Sequence, residues 1–254
     1  MKMMKLQALS VIATFLTVGA ASANTPDLTG GEIVARATEA AGGAAWKRPK
    51  TLYFEGDMRM YADGLFSEET HVDRYVMRRI LPTQSDDAHA ANGMVRFDAY
   101  AKGEIVFQIS FDGVDTYDRN GRVDDAVATE QWSAAFGFGI IRFADGEGFS
   151  VDRLADDQVE GRACYIVQVT DPAGKETIFG IDKEGYEIRM VGFDTPRGWH
   201  HRVYSDFDWH ENPRFRQPTR VRLYYDGRKT NDIRWPVFRV NVPLDPKDFV
   251  ISPR

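Results

Sequence analysis

Leu52-Tyr53-Phe54-Glu55-Gly56-Asp57-Met58-Arg59-Met60-Tyr61 decides the fold class. Leu52, Phe54, Met58 and Met60 share one parity, while Tyr53, Glu55, Asp57, Arg59 and Tyr61 share the other. In an extended chain successive side chains point to opposite faces, so the first set is directed at a core and the second at water: a half-buried strand. The alternation returns in Ile105, Phe107, Ile109 and Phe111, in Tyr165, Val167 and Val169, and in Thr177, Phe179 and Ile181. Turn dipeptides such as Asp112-Gly113, Asn120-Gly121, Glu160-Gly161 and Asp226-Gly227 separate the runs, and such residues close hairpins. Further strands are predicted at 68–80, 93–100, 148–154, 186–193, 199–208, 217–226 and 231–241, ten or eleven in all. Hairpin-length gaps favour antiparallel meander connections and a mainly β (α+β) fold.

Upstream of the first strand, Thr29-Gly30-Gly31-Glu32 has the capping-box pattern, and Ile33, Val34, Ala37, Ala40 and Ala41 form a helical stripe ending at Gly42-Gly43, so one amphipathic helix opens the fold. Further upstream, Met1 to Lys5 carries two lysines, Leu6 to Ala20 is apolar, and Ala21-Ser22-Ala23 is small. That order is a secretory signal, predicted as 1–23 with cleavage before Asn24. The apolar run falls short of the roughly 20 residues that span a bilayer, and no later stretch comes closer. Asn24 at the new N-terminus argues against a lipid anchor. The expected product is a periplasmic protein of a bacterium, residues 24–254, forming a single β domain.

Loss of Lys2 and Lys5 takes the formal charge from −6 to −8. An acidic chain without a basic cluster is a poor partner for nucleic acid, whose binding is driven by phosphate neutralisation. With Cys164 as the one cysteine, no intramolecular disulfide forms and stability rests on a packed core.

A long antiparallel sheet with one apolar side must cover that side by closing, by folding onto a second sheet, or by curling around helices. Here the cover is small: the opening helix and the apolar segment Glu130 to Phe143, read as a loop or short helices. The fold expected is a curved antiparallel half-barrel whose concave face these elements only partly fill. The remainder would be a cavity lined by Phe54, Met58, Met60, Phe107, Val167, Phe179, Met190, Trp199 and Leu223, a candidate ligand-binding set. A closed, well-packed core is the alternative. Methionines such as Met58, Met60, Met77, Met94 and Met190 serve either as core filler or as an adaptable wall.

The C-terminal half carries a family pattern. Glu160-Gly161-Arg162-Ala163-Cys164-Tyr165, Lys175-Glu176-Thr177 to Ile181-Asp182, Gly185-Tyr186-Glu187-Ile188-Arg189 and Tyr204-Ser205-Asp206-Phe207 are followed by Gln217-Pro218-Thr219-Arg220-Val221 and Val240-Asn241-Val242-Pro243-Leu244-Asp245 with Phe249. Together they resemble the outer-membrane lipoprotein carriers, the LolA/LolB-like superfamily, over residues 150 to 250, while 82–150 departs from the compact carriers. The resemblance implies an open, strongly curved half-barrel with helices across its mouth and acyl chains, lipoproteins or related amphiphiles in the concavity. It also leaves room for an envelope sensor or assembly factor of the same fold that engages a protein partner, such as a membrane-associated envelope protein. Turn and strand-end motifs speak to fold more than to activity.

Catalytic and metal chemistry is weakly signalled. Trp199-His200-His201 with Asp206, Asp208 and His210 suggests zinc ligands, but a strand rising about 3.3 Å per residue separates His200 from His210 by roughly 33 Å. His200 and His201 also point to opposite faces. Asp206, Asp208 and His210, with Arg202 and Tyr204 beside them, read as a solvated strand face; their convergence would instead point to a cleft hydrolase. No G-x-S-x-G elbow or phosphate-binding glycine loop occurs, and Cys164 reads as an inert core thiol. Arg214, Arg216, Arg220, Arg222, Arg228, Arg234 and Arg239 read as a solvated convex face, or as a rim meeting the anionic head of an amphiphile or an acidic partner protein. The favoured reading is a binding or carrier protein for a lipid, acylated or other hydrophobic ligand, with no cofactor and no metal.

Overall fold

The computed structural model describes residues 27–62, 69–83, 93–124 and 137–253. The predicted signal peptide, and Trp132 and Phe136 of the apolar segment, lie outside them. Among the described residues fourteen strands form one antiparallel sheet. They are β1 (Thr51–Met60), β2 (Thr70–Ile80), β3 (Met94–Ala101), β4 (Glu104–Phe111), β5 (Thr116–Asp118), β6 (Gly121–Arg122), β7 (Ser150–Arg153), β8 (Asp157–Val159), β9 (Arg162–Thr170), β10 (Glu176–Asp182), β11 (Ile188–Thr195), β12 (Gly198–Glu211), β13 (Arg214–Tyr225) and β14 (Arg228–Val240). The spatial order is β6-β5-β4-β3-β2-β1-β14-β13-β12-β11-β10-β9-β7, with β8 paired to β9 off this path. Two meanders therefore run outward from a central β1–β14 pairing, and the sheet stays open between β6 and β7. The count exceeds the expected ten or eleven because β5, β6 and β8, of two or three residues each, are too short to show alternation.

The two faces carry different cores. Phe54, Met58, Tyr75, Phe97, Val167, Phe179, Val191, Val221 and Ile233 belong to one large buried cluster on the concave side. Residues of the other parity, Cys164, Ile166 and Val203 with Val159 of β8, form a small separate cluster on the convex side. β8 covers that patch.

Helix α1 (Gly30–Ala41) starts as its sequence dictates. The Thr29 hydroxyl accepts the Glu32 amide at 3.3 Å and the Glu32 carboxylate accepts the Thr29 amide at 2.8 Å, satisfying two otherwise orphaned donors. Ile33, Val34 and Ala37 are buried against the concave face. Gly42 ends the helix at φ +126°, with the place of a Cβ lying only 2.5 Å from the Arg214 carbonyl oxygen, so glycine allows the helix end to abut β13. A short α2 (Ala44–Lys47) buries Trp46, and a 3-10 segment, Gly137–Phe143, buries Ile140 and Ile141 in the same cluster. The opening helix and the 3-10 segment are cover that the sequence implied, whereas α2, a single turn after Gly42-Gly43, is an addition too short to show a helical stripe. No helix among the described residues is long and apolar enough to cross a membrane.

Candidate functional site

Where the cover stops, the concave face holds a cavity of about 90 Å³. Its walls come from Leu52 and Phe54 of β1, Tyr75, Met77 and Arg79 of β2, Phe97 of β3, Arg202 and Tyr204 of β12, Gln217, Val221 and Leu223 of β13, and Ile233 and Trp235 of β14, with Arg142 of the 3-10 segment reaching in. The central pair β1–β14 thus forms its floor, and the parity of each strand selects the lining. Aromatic rings shape the apolar part: Tyr75 stacks on Phe97 (5.6 Å between centroids, 8° between planes) and on Trp235 (5.0 Å, 20°), and Phe54 tilts against Trp235 at 5.5 Å. Offset contacts in this range add to the burial that holds such rings.

Three guanidinium groups share the cavity. Arg79 and Arg142 are 5% and 3% exposed. Burial, with the charge of Arg202 next, pushes Arg79 down to about 10; burial, with Arg79 next, pushes Arg142 down to about 9. Both remain cationic at neutral pH. Arg142 Nε donates to the Trp46 carbonyl at 3.0 Å, and its guanidinium carbon lies 4.9 Å from the centre of the Trp46 ring.

Arg202 is positioned by a buried histidine. Arg202 Nε donates to His200 Nε2 at 3.0 Å, and His200 Nδ1 lies 3.0 Å from the Tyr224 carbonyl oxygen. A guanidinium only donates and a carbonyl only accepts, so this network assigns a neutral imidazole protonated at Nδ1. Desolvation, then the nearby Arg202 charge, holds His200 well below the usual histidine range. Tyr204, 5% exposed beside Arg202, has its hydroxyl raised by burial.

The structure divides the nine residues expected to line the cavity. Phe54 and Leu223 line it. Met58, Met60, Val167 and Phe179 lie in the concave cluster at 2% exposure or less, and Phe107 packs against that cluster. Met190 belongs with the convex cluster instead, and Trp199 lies against Gly192, where its ring would meet a Cβ at 2.5 Å. Those two stand on the other parity of β11 and β12. Arg202 and Tyr204, read as a solvated strand face, turn inward. The residues that sequence reasoning missed, Arg79, Arg142 and Arg202, did carry signals: Arg79 has the parity of Tyr75 and Met77, and Arg142 interrupts the apolar run Ile140-Ile141-Arg142-Phe143.

The residues of the alternative cluster make local backbone contacts. Asp206 sits at φ +56°, Asp208 accepts the Trp209 amide at 2.8 Å, and His210 Nδ1 lies 3.1 Å from the Pro213 carbonyl oxygen. Among the described residues no group of three or more His, Cys, Asp or Glu is placed to hold a metal ion. Several of the C-terminal arginines are ion-paired: Arg216 with Glu187 at 2.7 Å, Arg220 with Asp232 at 2.9 Å and Arg222 with Glu160 at 2.6 Å. A second crevice, between Ala41, Trp46, Phe207 and Pro218, holds about 20 Å³, room for a single water.

An open antiparallel sheet curling around an N-terminal helix can be compared with solved structures. A LolA superfamily protein from Nitrosomonas europaea superposes with a TM-score of 0.54, covering 88% of this chain and 98% of that one at 13% identity. The chain has a LolA-like fold. Two other structures are similar over comparable lengths. One is a domain described as an outer-membrane lipoprotein-sorting protein from Vibrio parahaemolyticus (TM-score 0.49, 11% identity, 86% and 94% covered). The other is a DUF1329 family protein from Desulfovibrio piger (0.48, 13%, 87% and 95%). No protein-family model and no curated protein matches the sequence. At such identities the LolA-like likeness is one of fold, and the function has to be argued from the cavity.

Proposed function

We propose that this protein binds a hydrophobic or acylated ligand in the concavity of its LolA-like sheet and acts in the bacterial periplasm as a carrier or holder of that ligand. The observation that carries the reading is the cavity itself, walled by Phe54, Tyr75, Phe97, Leu223 and Trp235 at the edge of a small helical cover. A tightly packed interior would have no use for such a space, and apolar surface withdrawn from water stabilises a bound chain by about 25 cal/mol per Å². The resting volume of about 90 Å³ is smaller than the 150 Å³ apolar cavity that accepts benzene. A ligand with a long chain therefore needs the cover around Trp46 and Ile141 to shift. The signal-like N-terminus supports export and removal of residues 1–23, leaving the ligand-binding part in the periplasm.

The test is native mass spectrometry of the mature protein purified gently from a bacterial periplasm, followed by solvent extraction of any adduct. A stoichiometric lipid, fatty acid or acyl peptide is the expected result. A bare mass that stays bare after incubation with membrane lipids would overturn the reading.

A further inference from the structure

We propose that the cavity takes its ligand with an anionic end inward, a carboxylate or phosphate seated among Arg79, Arg142 and Arg202 while the apolar body runs along the aromatic wall. The inference rests on the hydrophobic-ligand reading above and adds the chemical class of the ligand's head.

Three arginines from three separate parts of the fold converge on one space: Arg79 from β2, Arg202 from β12 and Arg142 from the 3-10 segment. A solely apolar cargo gives no reason to gather three guanidinium groups at one place, whereas a ligand with an anionic end does. These three cations stand among the fourteen described residues that line the space. The repulsion is felt in the groups themselves: Arg202 disfavours the charged form of Arg79, and Arg79 that of Arg142. An incoming anion relieves that repulsion, and a guanidinium fork matches a carboxylate or phosphate in shape as well as charge.

The other lining groups fit the same guest. Gln217 and the buried Tyr204 also line the cavity and bring neutral polar groups to it. Beside the charged groups stand Phe54, Phe97, Leu223 and Trp235, an apolar wall that suits a hydrocarbon body. His200 acts as a positioning residue: its ring holds Arg202 through the 3.0 Å bond, and its deep burial keeps it neutral, so it adds no charge of its own.

The experiment is titration calorimetry of the mature, delipidated protein at pH 7 with dodecanoate, dodecyl phosphate, dodecanol, acetate and inorganic phosphate, on wild type, Arg79→Gln, Arg142→Gln, Arg202→Gln and Arg228→Gln. Arg228 is exposed on β14, away from the cavity, and circular dichroism reports folding of every variant. Expected is binding of one or both twelve-carbon anions at least tenfold tighter than dodecanol, with the preference lost in a folded cavity variant and kept in Arg228→Gln. Whichever anion binds tighter names the head group. Equal binding of anions and dodecanol overturns the anionic head and leaves the hydrophobic-ligand reading standing. Acetate or phosphate binding as tightly as the long-chain anions overturns the role of the tail, and that reading with it. No binding by any compound overturns both. His200→Gln supplies a further arm: a folded variant that weakens dodecanoate and leaves dodecanol unchanged bears out positioning of Arg202, whereas equal weakening of both reduces His200 to a packing role.

Discussion

The guanidinium of Arg142 sits over the ring of Trp46, 4.9 Å from its centroid, and donates to the carbonyl oxygen of the same residue at 3.0 Å. One residue of the 3-10 segment is thus clasped to one residue of α2, and the two pieces of the cover are held as a unit at the cavity's edge. Trp46 is 1% exposed, so Trp46→Ala loses a full aromatic side chain from the core and about 3–5 kcal/mol of stability. Trp46→Phe keeps most of the apolar volume and the ring face, and should lose less than Trp46→Ala. Urea unfolding of the two variants checks the order; equal losses would show that the indole's bulk does not support the cover.

On the convex side, Asp98 gathers a polar network under the C-terminal segment. It is 1% exposed, accepts from Arg78 Nη1 at 2.5 Å, from Arg96 Nε at 3.1 Å and from Gln108 Nε2 at 2.6 Å. Desolvation alone would raise its carboxyl, but the bonds from Arg96 and Gln108 and the charges of Arg96 and Arg78 outweigh it and hold the group below its usual range. A depressed carboxyl contributes stability above its unfolded value of about 3.9 that is lost as pH falls through the folded value. Asp98→Asn is therefore expected to cost about 3 kcal/mol at pH 6–7. The difference from wild type should shrink steadily below about pH 4. Thermal unfolding measured from pH 7 to pH 2.5 checks it, and a gap that does not depend on pH would assign the loss to packing.

Much of the sheet was legible because its long strands follow period two without exception at Leu52–Phe54, Phe107–Ile109 and Thr177–Ile181. Parity runs out where the backbone breaks it. Opposite Gly56 both neighbours of β1 carry an extra residue, so the buried set changes parity from Val72 to Tyr75 in β2 and from Trp235 to Phe238 in β14, and at Asp206, φ +56°, it changes from Tyr204 to Phe207 in β12. Met190 and Trp199 fail for another reason. Both are large apolar residues on alternating strands, and only the register with Val203 and Asp194 shows which face they take. The cavity arginines were hidden by residue type: cations in a strand read as solvent-facing, yet Arg79 is inside while Arg78, beside it, pairs with Asp98 outside.

The shift at Gly56 makes a steric prediction. A Cβ at this position would lie 1.8 Å from the Arg234 carbonyl oxygen and 2.9 Å from the Pro236 ring. Both contacts are made by β14, the strand that joins the two meanders. Gly56→Ala must push β1 from β14 at the sheet's centre, at a cost of about 3 kcal/mol, the upper end of ordinary overpacking. Gly161→Ala gives a contrast without a clash, since nothing lies within 4 Å of its Cβ position, although its φ of +79° carries backbone strain. Urea midpoints of the two variants should place Gly56→Ala clearly lower; the reverse order would mean that β1 and β14 separate easily.

Cys164 is 0% exposed in the convex cluster. Burial, then the negative charge of Asp182, raises its thiol, which lowers the fraction of reactive thiolate. Ellman's reagent at pH 8 should find no thiol in the folded protein within minutes and one equivalent in denaturant. Rapid labelling of the native form would show that β8 does not cover the patch as the pairing of Asp157–Val159 with β9 indicates.

Leu223 offers the most direct probe of the cavity as a ligand site. It lines the space yet is only half-buried, so a larger side chain can turn into the void. Leu223→Trp should fill much of the 90 Å³ and weaken binding of a twelve-carbon amphiphile at least tenfold, while changing the melting temperature by only a few degrees. Leu223→Ala enlarges the same space and should bind as well as wild type or better, at a stability loss below the 2–5 kcal/mol of a fully buried leucine. Calorimetric titration of both variants separates the two effects. Unchanged affinity in Leu223→Trp, with its fold intact, would mean that the ligand lies elsewhere on the concave face, with the tail against Met58, Met60 and Phe179 as the remaining apolar wall.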